Sequence, residues 1–157
     1  MRVNGSGGVS IAPPGYGQNI RQTRVQLVAA LWSVWLIGGF FAAVLIWPEI
    51  LRDPTPMRHM VIGGIPLMIN FWHAVFHLFT GIVGLLAAAR SRTAIPFLIA
   101  AGTIYLGIGT VALSGSDILG LFGMMPYDTV GTTLHLVEGL LVFVVGLVSL
   151  VTARRRA

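Results

Sequence analysis

The chain has 157 residues, of which 55% are hydrophobic and only 10% charged, and it contains no cysteine. A water-facing domain carries about a quarter charged residues, so lipid must be the solvent for much of this surface, and the length allows one compact domain. Disulfides, thiolate metal sites and thiol nucleophiles are excluded. The formal charge of +5 comes from arginines grouped beside apolar runs, which points to lipid head groups and not to nucleic acid.

Residues 1–20 are rich in Gly, Pro, Ser and Asn and lack apolar periodicity, which predicts a flexible cytoplasmic tail. Arg21 and Arg24 lead into the first uncharged run, Leu27 to Trp47. About 20 such residues match the roughly 30 Å hydrocarbon core of a bilayer. This run ends Leu45-Ile46-Trp47-Pro48 and has no small-x-small cleavage site, so it reads as a span and not as a secretory signal.

A polar break from Pro48 to Met60 follows, with Glu49, Arg52, Asp53, Arg58 and His59. The second span lies within residues 66–89 and stops at Arg90-Ser91-Arg92. The third covers about 94–113, and a Ser/Gly/Asp loop through Ser114, Ser116 and Asp117 leads to a turn at Pro126-Tyr127-Asp128. The fourth covers about 129–151. Residues 21–152 thus form the membrane domain, and 153–157 form a basic tail with Arg154–Arg156.

Arg21, Arg24, Arg90, Arg92 and Arg154–Arg156 fall on one side of the spans, against only Arg52 and Arg58 on the other. By the positive-inside rule both termini are cytoplasmic. No run of alternating ten-residue strands suggests a barrel. The expected fold is therefore all-α, a polytopic protein with four transmembrane helices in two tandem hairpins. The setting is a bacterial inner membrane, and small residues such as Gly38-Gly39, Gly84, Gly102, Gly139 and Gly146 provide the packing faces.

The halves share a pattern. Asn70 is followed by six residues and then His77-Leu78, with Gly81 three further on; Asp128 stands in the same relation to His135-Leu136 and Gly139. This predicts a duplicated two-helix unit. On these residues, together with Gly84 and the stretch Phe97 to Leu106, the chain resembles the actinobacterial four-helix membrane proteins grouped as domain of unknown function 4383. The resemblance implies a four-span bacterial membrane protein and brings no activity. The family tends to carry Asn where this chain has Ala74, and an apolar residue where it has Glu138.

Ionisable residues inside a bilayer are costly and mark candidate sites. Here they are His73, His77, His135 and Glu138. Spacings of i, i+4 and i, i+3 place His73 with His77 on one helical face and His135 with Glu138 on another. Counted from Pro66 and Pro126, His77 and His135 lie within about 3 Å of the same depth.

Three readings of the cluster stay open. The imidazoles fix packing by bonding Asn70, Thr132, Thr133 or Glu138. Alternatively, His77 and His135 are axial ligands of haem b, with Arg52 or Arg58 near the propionates. In the third reading, His73, His77, His135 and Glu138 hold a divalent metal or relay protons. No nucleophile elbow, phosphate loop, dinucleotide fingerprint or metalloprotease motif occurs. Trp32, Trp35, Trp47 and Trp72 read as interfacial or packing residues.

The sequence thus predicts first a structural or accessory membrane component, neither an enzyme nor cofactor-bound. Its partners would be the bilayer and a membrane-protein complex or a second copy. A haem- or metal-binding or proton/solute-transporting protein is the alternative.

Overall fold

A computed structural model describes residues 16–54, 57–62, 64–116 and 128–155. Four helices dominate it: α1, Tyr16–Ile46; α2, Phe71–Ala88; α3, Ser91–Leu113; α4, Thr129–Arg154. Each is long and apolar enough to cross a membrane, and the chain is a multi-pass membrane protein. Residues 1–15, Asp117, the turn at Pro126-Tyr127 and Arg156 lie outside the described residues.

α1 packs mainly on α2 and α3 mainly on α4, so each consecutive pair is a hairpin, whereas α1 and α4 barely touch. The buried positions explain this pairing. α1 buries Val25, Ala29, Trp32 and Leu36, and α3 buries Ala94, Leu98, Ala101 and Tyr105, both at helical spacing. α2 buries Ala74, Gly81 and Gly84; α4 buries Thr132, His135, Gly139, Val142 and Gly146. The large apolar residues Leu31, Leu45, Phe79, Leu86 and Leu141 point outward. α2 and α4 thus turn small residues inward, while α1 and α3 add Trp32, Leu36, Leu98 and Tyr105 to the core; close packing takes the place of the hydrophobic drive that lipid removes.

Two boundaries differ from the sequence expectation. α1 begins at Tyr16, inside the expected tail, and the residues from Pro66 to Ile69, expected to open the second span, belong to a strand. Strands β1, Arg58–Ile62, and β2, Ile65–Ile69, pair antiparallel, with Val61 opposite Pro66 and Ile62 opposite Ile65. Gly64, at φ +84°, supplies the left-handed backbone the turn needs. β-Branched residues on either side of the turn favour the ribbon. A 3-10 turn, Pro48–Leu51, connects α1 to this hairpin, and its buried Ile50 packs with Ala43, Ile69 and Ala74. Ala74 is fully buried there.

The hairpin marks one end of the bundle. Arg24, Arg90, Arg92, Arg154 and Arg155 are exposed at the other. At the hairpin end, Asn70 caps α2 by accepting the His73 amide at 2.8 Å. Asp128 caps α4 by accepting the Gly131 amide, and its other oxygen accepts the Met68 amide of β2. The polar residue of each sequence repeat is therefore an N-cap, and it fixes where the following histidine sits. Asp128→Ala is expected to cost about 2 kcal/mol, through the lost cap and an unpaired strand amide. Asp128→Asn should recover about half, as read by denaturant titration in detergent.

Candidate functional site

His77 and His135 each lie seven residues beyond their caps, a depth of about 10 Å into α2 and α4. Their rings meet across the bundle with centroids 5.8 Å apart. His73, one turn nearer the hairpin on α2, completes a triangle. Its Nε2 lies 3.1 Å from Nε2 of His77 and 3.3 Å from Nε2 of His135. One ligand atom from each of the three histidines falls within 4.8 Å of the others. In the second repeat the position equivalent to His73 is Gly131, so the symmetry of the halves breaks at the site itself.

The tautomer of His135 follows from its surroundings. Its Nδ1 is 2.7 Å from the Gly131 carbonyl, which can only accept, so Nδ1 carries the proton and Nε2 presents a lone pair to the triangle. The Nδ1 of His73 is buried and has no hydrogen-bond partner. Tyr105 of α3, fully buried, packs against the rings of His135 and His77 at 5.2 and 5.9 Å and closes the α3 side.

Glu138 stands apart from the triangle. Its two carboxylate oxygens accept the indole N–H groups of Trp35 at 2.8 Å and Trp32 at 3.3 Å, both from α1. A carboxyl group left unpartnered in a membrane helix is costly, and the two indole donors satisfy both of its oxygens. Three of the four partners expected for the imidazoles have other bonds: Asn70 accepts a backbone amide, Thr133 donates to the Thr129 carbonyl and Glu138 accepts the indoles. The imidazoles meet one another instead.

Triangle and carboxylate line one cavity of about 370 Å³ between α1 and α4, where those helices separate. The hairpin's Leu67, Met68 and Ile69 border it, as do Gly38, Gly39 and Ala42 of α1. The hairpin residues and the indole clamp were not legible as site components. The signals that could have exposed them are Gly63-Gly64 between apolar runs, a hairpin mark, and Trp32 with Trp35 three apart on one helix face.

What this arrangement can do chemically follows from its donors. Three nitrogens converge, one of them a lone pair by tautomer, in an otherwise apolar recess that also holds a carboxylate. That is a set of donors for a cation. Comparison with curated proteins and with solved structures returns no match. The family model described as Domain of unknown function (DUF4383) matches residues 22–148, and the chain belongs to that family.

Proposed function

We propose that this protein binds one divalent transition-metal ion inside the membrane, held by Nε2 of His73, His77 and His135. The observation that supports it is the nitrogen spacing. Four ligands about 2.0–2.1 Å from a tetrahedral zinc ion lie about 3.3 Å from one another, and the two close nitrogen pairs measure 3.1 and 3.3 Å. An ion would draw on the Nε2 lone pairs of all three rings, and that of His135 already points into the triangle. Imidazole suits zinc, iron, copper and nickel alike, and the two short edges fit a tetrahedral zinc while the third nitrogen pair lies within 4.8 Å. The Nδ1–H bond of His135 to Gly131 is the outer contact that orients a ligating histidine.

Three protein ligands leave a fourth position open, facing the cavity. Glu138 places a carboxyl group in the same recess, beside the open position. The haem reading fits less well. The imidazole of His73 approaches those of both His77 and His135, in the space where a porphyrin held between those two would lie. With the arginine-bearing end in the cytoplasm by the positive-inside rule, the site lies in the outer half of the membrane.

Protein purified in detergent, stripped with chelator and titrated with Co²⁺ is expected to bind about one ion per chain and to develop the intense visible bands of a tetrahedral nitrogen site. Metal analysis of the untreated preparation should show zinc, and no Soret band should be present. A titration without bands, or a Soret band lost on replacing His77, would sink the reading. The protein would then stand as the structural component or the haem protein of the other two readings.

A further inference from the structure

The open coordination position faces a cavity with two properties. Among the described residues its walls are apolar or glycine apart from the histidines and Glu138. It also opens sideways: Val34, Trp35 and Gly38 line it and are at the same time exposed on the outer surface of α1, midway along a membrane span. The mouth therefore faces hydrocarbon. Gly38 is exposed at the mouth, with nothing within 4 Å of where a Cβ would stand, so a larger side chain there has open space beside the cleft.

Charge defines the occupant further. A divalent ion on three neutral imidazoles brings two positive charges into a low-dielectric recess, of which an ionised Glu138 would offset one, and isolated charge is disfavoured there. One monoanionic oxygen ligand completes both the charge and the fourth position. We infer that the cleft between α1 and α4 binds a long-chain monocarboxylate from the bilayer, its head on the ion and its tail leaving through the gap between the helices. This rests on the metal reading and adds to it the class of ligand.

The test uses Co²⁺-loaded protein in lipid nanodiscs, with palmitate, methyl palmitate and acetate as probes. Palmitate is expected to shift the Co²⁺ bands saturably and methyl palmitate to leave them unchanged. Acetate should need at least about 100-fold more ligand, since it lacks a tail to bury. Gly38→Leu, which places a side chain in open space, should weaken palmitate at least about tenfold by filling the recess and should leave Co²⁺ affinity intact.

Bands that ignore palmitate while Co²⁺ still binds would overturn this inference and spare the metal site. Loss of Co²⁺ binding itself would overturn both. A Gly38→Leu protein that binds palmitate as tightly as the parent would place the tail elsewhere, which also overturns the inference.

Discussion

His135→Ala is expected to keep the four-helix fold and to bind Co²⁺ or Zn²⁺ more than about 100-fold more weakly than the parent. Loss of an outer contact to a metal ligand typically costs 10–100-fold, and here a ligand itself is removed. The comparison that gives this result meaning is His59→Ala. His59 lies on β1 opposite Met68 and is not part of the converging group, so its loss should leave the affinity unchanged. His77→Ala should match His135→Ala, because the two nitrogens flank His73 from different helices. Titration calorimetry of chelator-stripped protein, with helical circular dichroism as the fold control, decides the matter. Equal affinities for the His59 and His135 variants would remove the metal site from consideration.

The second large effect is structural. A Cβ on Gly139 would stand 2.7 Å from the Leu106 amide nitrogen and 3.0 Å from the Gly102 carbonyl. A Cβ on Gly102 would meet the Phe143 nitrogen at 2.7 Å and the Gly139 carbonyl at 2.8 Å. Those neighbours are backbone and cannot rotate away, so α3 and α4 must separate. Gly139→Ala is expected to destabilise by about 3 kcal/mol, the upper end for overpacking a tight interface. The same substitution should weaken metal binding, because Gly139 is one turn from His135. Gly107→Ala is the control: open space surrounds its Cβ, and alanine favours the helix by up to about 1 kcal/mol. Unfolding in a detergent titration should rank Gly139→Ala well below both the parent and Gly107→Ala, and no difference among the three would refute the close α3–α4 contact.

Much of this protein could be read residue by residue because a bilayer leaves few options. Backbone groups in hydrocarbon must be satisfied within the segment, so long uncharged runs become helices. Charged residues then mark the ends, as Arg24, Arg90 and Arg154 do here. Counting from Pro66 and Pro126 predicted two histidines at nearly one depth; Pro66 lies in a strand, but the equal distances from the caps Asn70 and Asp128 keep the depths matched, and the rings meet across the bundle. The hairpin escaped notice because Pro66 to Ile69 is as apolar as a helix start, and periodicity alone does not separate a short buried strand from a helix segment.

Composition and spacing by themselves determined the four spans, the packing role of Gly84, Gly102, Gly139 and Gly146, though not of Gly38, which faces open space, and the matching depth of the histidines, since these depend on local hydropathy and on the rise of a helix. Only the tertiary structure decided what those histidines face. It rotates α2 and α4 so that three imidazoles converge, and it turns Glu138 toward two indoles of α1. Helical spacing defines a face but not the neighbour it meets. That neighbour is chosen by close contacts such as Gly81 on Ser33 and Ile37, and Gly102 on Gly139, which set how each helix is turned against the next.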